Sequence, residues 1–260
     1  MKVVLPLPDL ERYARQIILP EIGEARQDKL LCSSVLVIGA GGLGSPVAYY
    51  LAAAGVGRLG ILDRDQVDLS NLNRQILHFT SDLGRFKVES AKDKLTALNP
   101  GIRIEPLKCV LKPDNARSVI SNYDLCVIAV DDIPTRYLVN EACYQEGKPF
   151  VEGAVSGFFG HITTFIPPRG PCYRCLFQES QALDPVQPHP EKFDRRGVIG
   201  VTPGIIGVLQ AAEALKLIMG IGELLIGRLL VVDLLKCEFV ELIYSQRSEC
   251  PVCGGNSQSG

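Results

Sequence analysis

A glycine-rich turn between an apolar run and a helical segment constrains this chain more than any other feature. The apolar run covers residues 34–39, and the glycines are Gly39, Gly41, Gly42 and Gly44. Glycine lets the backbone turn tightly and approach a phosphate, while the helix that follows offers free N–H donors. The turn therefore predicts a nucleotide site, and it leaves open which nucleotide is bound.

An alternation of strand-like and helical segments surrounds this turn. After helical segments at 10–19 and 23–32, strands are predicted at 34–39, 58–62, 103–107, 125–129 and 150–153, and helices at 45–54, 88–98, 113–121 and 135–147. This order predicts βαβ units on a doubly wound, Rossmann-like, mostly parallel sheet of an α/β protein.

The pattern changes after residue 153. Segments 155–158 and 161–166 flank a glycine and predict an antiparallel hairpin, and a helix at 203–219 and strands at 229–233 and 238–243 follow. The polar, proline-rich stretch 177–196 predicts a mobile loop.

At 260 residues and 47% hydrophobic, the chain is long enough for one main domain whose core needs no disulfides. The expected divisions are an N-terminal helical segment (1–33), a nucleotide-binding half (34–153), an antiparallel extension with the loop and a C-terminal lobe (154–253), and a disordered tail (254–260).

The charge and hydropathy patterns argue against nucleic acid or a membrane as partners. The formal net charge is −2, from 27 basic and 29 acidic residues, so no global excess attracts a polyanion. The apolar stretch 201–219 contains Pro203, Gln210, Glu213 and Lys216, and we interpret it as short of a bilayer span. The first nine residues lack the apolar core of a signal peptide, which favours a cytoplasmic protein.

Two C-x-x-C pairs, Cys172/Cys175 and Cys250/Cys253, predict a structural zinc site in the C-terminal lobe. Tetrahedral zinc accepts four thiolates from paired short loops, and four protein ligands leave no position for a substrate. A redox dithiol usually stands alone, and disulfides are disfavoured in the cytosol. The five other cysteines stand beside apolar residues and are interpreted as small buried hydrophobes.

A polar run at residues 63–75 bears on the kind of nucleotide. Asp63 ends the strand 58–62 and is placed to accept hydrogen bonds from a ribose, as in an NAD-dependent dehydrogenase. A dehydrogenase would not need the rest of the run, which supplies Asn71 and Arg74, with Lys87 shortly after. Cations suit a triphosphate attacked at its α-phosphorus, where the leaving pyrophosphate gathers charge. An NAD-dependent oxidoreductase, or solvated surface cations without a role, stay open as alternatives.

A series of motifs spans nearly the whole chain. Its members are residues 12–19, the glycine turn, 63–75, 84–91, 129–132, 171–175, 197–199, 204–207 and 250–254. In this order they resemble the ThiF/MoeB/HesA family of ubiquitin-activating-enzyme-like adenylyltransferases, most of all its MoeB/ThiF-type members. The resemblance implies a homodimer that uses ATP and Mg²⁺. Its reaction would adenylate the C-terminal carboxylate of a ubiquitin-like sulfur-carrier protein with a Gly-Gly terminus, in thiamine, molybdopterin or related biosynthesis.

The resemblance also assigns roles to polar residues: Asp63 to the ribose, Asn71, Arg74 and Lys87 to the phosphates, Asp131 to Mg²⁺, and Arg15 to the γ-phosphate in a dimer mate. The residues themselves agree for Asp131, because it follows an apolar strand at the carboxyl edge of the sheet, where such folds bind ligands. Asp131 could equally cap the next helix.

The chain departs from many relatives in the loop before Gly197. Those relatives carry a cysteine where Phe193 stands, and no cysteine occurs here between Cys175 and Cys237. A phenyl ring cannot be acylated, so we expect the reaction to stop at the acyl-adenylate. A separate sulfur donor is then expected, since no rhodanese-like domain follows Gly260. A non-catalytic carrier-binding protein is the third hypothesis.

Overall fold

The computed structural model describes residues 5–178 and 197–254, so Phe193, most of the expected loop and the end of the tail lie outside the described residues. In the described part, eight strands form one sheet in the order β3-β2-β1-β4-β5-β6-β7-β8. The strands are β1 Ser34–Ile38, β2 Arg58–Leu62, β3 Arg103–Leu107, β4 Leu125–Ile128, β5 Phe150–Ser156, β6 Phe159–Phe165, β7 Arg228–Asp233 and β8 Glu238–Ile243. Strands β1 to β5 are parallel, and β6 to β8 continue the sheet antiparallel. The predicted fold class is confirmed.

Helices connect and cover these strands. They are α1 Leu7–Arg12, α2 Ala14–Ile17, α3 Gly23–Cys32, α4 Gly44–Ala54, α5 Lys87–Leu98, α6 Ala116–Ile120, α7 Ile133–Glu146, α8 Tyr173–Leu176 and α9 Val201–Met219. Short 3₁₀ turns stand at Leu69–Asn71 and Thr80–Asp82.

The sheet has a hydrophobic core on each face because successive side chains of a strand point to opposite sides. In β1, Val35 and Val37 pack with residues of α4, α5 and α9. Leu36 and Ile38 pack on the other face with residues of α6 and α7. All four are fully buried, which explains why β1 is a continuous apolar run.

Two local expectations are wrong in detail. The strand predicted to end at Gly153 continues to Ser156 and itself forms the first arm of the hairpin with β6. Gly153 serves close packing there, since a Cβ would lie 2.8 Å from the Gln210 side chain of α9. The helix predicted over residues 10–19 is split at Tyr13, whose ring is buried against Gly55.

Helix α9 is long and apolar enough, by length and composition, to cross a membrane. The interpretation of this stretch as too interrupted is wrong, because Pro203 lies in the first turn, where proline is tolerated. Its polar residues belong to the protein interior: Gln210 donates to the Ile128 carbonyl (2.7 Å), and Glu213 accepts from the Thr164 hydroxyl (2.6 Å). We therefore describe α9 as a core helix that packs against one face of the sheet.

All nine cysteines lie in the described residues, and none forms a disulfide. Of the five outside the C-x-x-C pairs, Cys126 and Cys143 are buried as predicted. The prediction is wrong for Cys32 and Cys237, which are exposed, and for Cys109, which is half-buried. Apolar neighbours in the sequence did not ensure burial for Cys32, at the end of α3, or for Cys109, just after β3. The same holds for Cys237, in the β7–β8 turn.

Candidate nucleotide site and four-cysteine centre

A cavity of about 580 Å³ lies at the carboxyl ends of β1, β2 and β4. Ligand pockets are typically about 300–1,000 Å³, so its size suits a nucleotide. Strands β2 and β4 lie on opposite sides of β1, which makes this the point where the strand order switches and a crevice opens. Seven predicted site residues line it: Gly39, Gly41, Gly42, Asp63, Arg74, Lys87 and Asp131.

The glycine turn packs tightly against the sheet. Gly39 has a φ of +103°, and a Cβ there would lie 2.5 Å from the carbonyl oxygen of Ala129. Gly44 begins α4 behind the cavity wall, and a Cβ there would overlap the Gly39 carbonyl. No side chain caps α4, and within the described residues the N–H groups of Gly42, Leu43 and Gly44 have no acceptor, so they stay available to an anion. Glycine at both positions is required by packing as well as by ligand approach.

Asp63 is held at the end of β2 by two backbone donors. Its Oδ2 accepts from the N–H of Ala40, and its Oδ1 from the N–H of Asp65, each at 2.8 Å. Carboxylate oxygens accept more than one hydrogen bond, so both remain able to receive ribose hydroxyls. Asp63 also ties β2 to the glycine turn, a role that the sequence did not indicate.

The two predicted phosphate cations both reach the cavity but differ in environment. The Lys87 side chain is only 7% exposed, and its Nζ lies 3.1 Å from Oδ2 of Asp65. Arg74 donates from Nη1 to the neutral oxygens of Ser70 (backbone, 2.9 Å) and Asn73 (Oδ1, 3.1 Å). Arg74 therefore offers the less compensated charge to an anion.

Asn71 and Arg15 do not line the cavity. The Asn71 side chain belongs to the 3₁₀ turn, where its Oδ1 accepts from the N–H of Asp68 at 3.3 Å. Arg15 lies on α2 and is exposed. Their roles toward a nucleotide stay predictions.

Asp132, not Asp131, caps helix α7. Its Oδ1 accepts from the N–H of Thr135 at 2.8 Å, so the alternative of Asp131 as the cap is wrong. Asp131 is exposed at the end of β4, and both carboxylates line the cavity. Hard divalent cations prefer carboxylate oxygens, so this donor set fits Mg²⁺.

A buried ionic cluster lies behind these carboxylates. Arg136 of α7 pairs with Glu152 of β5 and donates from Nη2 to the Val130 carbonyl at 2.7 Å. His161 of β6 lies 3.3 Å from the second oxygen of Glu152. Burial opposes ionisation of Glu152, but the charges of His161 and Arg136 outweigh it and lower its pKa. The sequence patterns did not indicate this cluster, although a glutamate inside an apolar strand is a usable signal.

The four C-x-x-C cysteines converge at the end of the chain. All are buried, and their Sγ atoms lie within 4.8 Å of one another. The Cys172–Cys250 and Cys175–Cys253 sulfur distances are 3.5 and 3.3 Å, far beyond a disulfide bond of about 2.05 Å. The arrangement suits four thiolates around one zinc ion.

The surroundings of the sulfurs also fit a cation. Burial, the hydrogen bond with Cys250 and the charge of Cys175 raise the pKa of Cys172 to about 12. Burial also opposes ionisation of Cys250, but the backbone N–H groups of Cys253 and Val252 outweigh it and lower the pKa of Cys250 to about 7. Thiolates this close together need a cation to compensate their charges. The Arg247 N–H lies 3.4 Å from Sγ of Cys175, as a donor to a thiolate. The adjacent residue Tyr173 lines the nucleotide cavity, so the centre supports one of its walls.

The sheet, the glycine turn and the carboxylates are those of an α/β protein with a candidate nucleotide site, and four cysteines form a cluster that suits a metal ion. Residues 13–252 match the model of the ThiF family. The chain belongs to the ThiF family, as its motifs indicated.

Relatives of similar length lead to the same family. The chain is 47% identical over 251 residues to the sulfur carrier protein adenylyltransferase of Thermus thermophilus, covering 95% of this chain and 91% of the relative. It is 44% identical over 257 residues to the SAMP-activating enzyme E1 of Haloferax volcanii, covering 98% and 92%. The crystal structure of E. coli MccB with AMPCPP and MccA superposes with a TM-score of 0.83 at 23% identity, over 96% of this chain and 77% of that one, which shows a shared fold.

Proposed function

We propose that this protein uses ATP to adenylate the C-terminal glycine carboxylate of a ubiquitin-like sulfur-carrier protein. The observation that carries the proposal is one cavity whose wall combines the glycine turn, Arg74, Lys87 and Asp131. The two relatives that match over nine tenths of their length support it, since their names are sulfur carrier protein adenylyltransferase and SAMP-activating enzyme E1.

In the proposed reaction the chain acts by orientation and charge. A carboxylate oxygen of the carrier attacks the α-phosphorus; the new P–O bond forms as the bond to the β-phosphoryl oxygen breaks, and pyrophosphate leaves with the electron pair. The free N–H groups of the glycine turn orient the phosphates, and Arg74 and Lys87 stabilise the charge on the leaving group. Asp131 and Asp132 would hold Mg²⁺, which offsets triphosphate charge when bound.

A path for the carrier tail leads away from these carboxylates. Beyond Asp131 the cavity wall continues along Val155 and Ser156 at the end of β5 and along Val198. A Gly-Gly terminus brings no side chains into this path, so its carboxylate can reach a nucleotide held by the turn.

The remaining parts of the proposal concern assembly and location. A homodimer would let Arg15 on exposed α2 serve the partner's γ-phosphate, with Asn71 as a further phosphate contact. A structural zinc ion occupies the four-cysteine centre. We place the protein in the cytoplasm, where thiols persist, and none of the nine described cysteines forms a disulfide. Sulfur transfer in thiamine, molybdopterin or related biosynthesis is left to a separate donor.

Carrier-dependent exchange of radiolabelled pyrophosphate into ATP tests the proposal. We expect exchange in the wild type and its loss in Arg74→Ala and Asp131→Ala. Arg117→Ala and Asp114→Ala are matched controls, since both residues are exposed and lie outside the cavity wall. Unchanged exchange in both site variants would refute the assigned roles, and wild-type carrier binding without exchange would favour a non-catalytic carrier-binding protein.

An NAD-dependent oxidoreductase fits the described residues less well. Strand β6 runs antiparallel to β5, so within the described residues the sheet does not continue into the second parallel half of a dinucleotide-binding fold. Calorimetry with NADH and with ATP separates the two, and binding of NADH alone would reverse the assignment.

A further inference from the structure

His78 lies beneath the glycine turn, and only 3% of it is exposed. Its Nε2 is 2.8 Å from the carbonyl oxygen of Ala40, and its Nδ1 is 2.8 Å from Oγ of Ser90. A carbonyl oxygen only accepts, so Nε2 carries the proton and Nδ1 accepts from the Ser90 hydroxyl. Burial is the largest cause that lowers the pKa of His78, and the charges of Lys87 and Lys94 act in the same direction. The hydrogen bond to Ala40 and the charge of Asp82 oppose them, but the net shift is downward from 6.5, which favours the neutral ring above that pH.

Hydrogen bonds on the Nδ1 side of the imidazole ring, away from Ala40, fix its orientation. Lys94 donates from Nζ to Oγ of Ser90 at 3.1 Å and pairs with the buried carboxylate of Asp82. Ser90 therefore receives a bond from Lys94 and gives its own proton to His78. This chain of bonds sets the direction in which Nε2 points.

Both polar groups of Ala40 are thereby occupied. Its N–H donates to Asp63, and its carbonyl accepts from His78. In a trans peptide the carbonyl and the next N–H point to opposite sides, so the N–H of Gly41 points away from His78. Gly41 lines the cavity, and within the described residues its N–H has no acceptor.

The peptide between Ala40 and Gly41 needs such a constraint. Gly39 and Gly41 flank Ala40, and glycine turns its adjoining peptide at little steric cost. An unrestrained peptide would turn a carbonyl oxygen toward the phosphates in place of an N–H. The bond from His78 excludes that orientation.

We propose that His78 is a positioning residue for the nucleotide: it holds the Ala40–Gly41 peptide so that the Gly41 N–H faces a phosphate. The inference rests on the proposed ATP site and adds to it a residue that does not touch the ligand.

Calorimetry of MgATP binding to the wild type, His78→Phe and His78→Gln tests this role. His78→Phe keeps an aromatic ring but loses both bonds, and we expect the Kd for ATP to rise about tenfold, as for one hydrogen bond to a charged group. His78→Gln retains an amide that donates to a carbonyl and accepts from a hydroxyl, and we expect a Kd within about threefold of the wild type.

The neighbouring core residue provides the control for a merely structural effect. Leu77→Ala removes a fully buried side chain of the same segment and should lower the unfolding temperature without raising the Kd for ATP. Equal Kd values for His78→Phe and the wild type overturn the inference, as does an equal rise in Leu77→Ala. A wild type that does not bind ATP overturns the proposed function, and the inference falls with it.

Steady-state kinetics give a second readout. His78→Phe should raise the KM for ATP and leave the KM for the carrier unchanged, because the carrier path beyond Asp131 does not involve the Ala40–Gly41 peptide. A rise confined to the carrier KM would contradict the positioning role.

Discussion

Arg136 and Glu152 form a buried ion pair one strand away from the predicted magnesium ligand, and Arg136 also donates to the Val130 carbonyl at 2.7 Å. Val130 precedes Asp131, so the pair anchors the segment that presents this carboxylate to the cavity. Neither charge reaches bulk water, since Glu152 is fully buried and Arg136 is 6% exposed. The pair therefore couples the interior of the sheet to the position of Asp131.

Removal of one charge from this pair should be costly. Glu152→Gln leaves Arg136 without its carboxylate, and breaking a buried pair in this way costs about 3–5 kcal/mol of unfolding free energy. Urea denaturation measures the loss. Glu141→Gln is the matched control: Glu141 pairs with Arg174 but is 41% exposed, and we expect a loss below about 1 kcal/mol. Similar losses in both variants would contradict the distinction.

Stability should depend on pH through His78. The ordinary pKa of histidine is 6.5, and the folded protein lowers the pKa of His78. The unfolded chain then binds the proton first, so the free energy of unfolding falls as pH drops below 6.5 and stops falling below the folded pKa. Urea denaturation between about pH 5 and 8 should show a shallower dependence for His78→Gln than for the wild type. Parallel pH curves would rule out this contribution.

The four-cysteine centre should hold one zinc ion per chain. Cys172→Ser and Cys250→Ser should each lose the metal and lower the unfolding temperature, because the ion joins the segment around α8 to the end of the chain. Elemental analysis of purified protein provides the measurement. Cys32→Ser changes an exposed thiol away from the centre and should retain the zinc. Full metal content in both centre variants would disprove the assignment.

Gly39→Ala should impair both stability and nucleotide binding. The added methyl group would meet the Ala129 carbonyl at 2.5 Å, on a backbone with a φ of +103°. We expect a lowered unfolding temperature and loss of ATP binding by calorimetry. In contrast, Gly204→Ala faces open space within α9 and should stabilise the helix by up to about 1 kcal/mol. Unimpaired ATP binding in Gly39→Ala would count against the role of the turn.

The sequence predicted the fold well because its signals are local. A continuous apolar run such as residues 35–38 indicates a strand buried on both faces, and β2, β3 and β8 have the predicted bounds. The continuation of β5 past Gly153 was not predictable from the sequence. Glycine is needed there because α9 packs closely against the strand, and not because the chain turns.

The site was predictable to the extent that its residues adjoin the glycine turn or strand ends. Asp63 and Asp131 end strands and reach the cavity. His78 escaped notice because its partner Ala40 is 38 positions away, a contact that only the tertiary structure creates. Asn71 and Arg15 carry roles that depend on a ligand and a second subunit, so the geometry of one chain cannot assign them.

The location of Tyr173 between two cysteines of the proposed zinc centre bears on the biogenesis of the protein. Tyr173 lines the nucleotide cavity, while the second cysteine pair, Cys250 and Cys253, is synthesised almost eighty residues after the first. The residues that line the cavity all precede Cys250 in the chain, so they are synthesised before the last two sulfurs. In the proposed zinc form, the metal can therefore fix the cavity wall that contains Tyr173 only after both cysteine pairs have been synthesised.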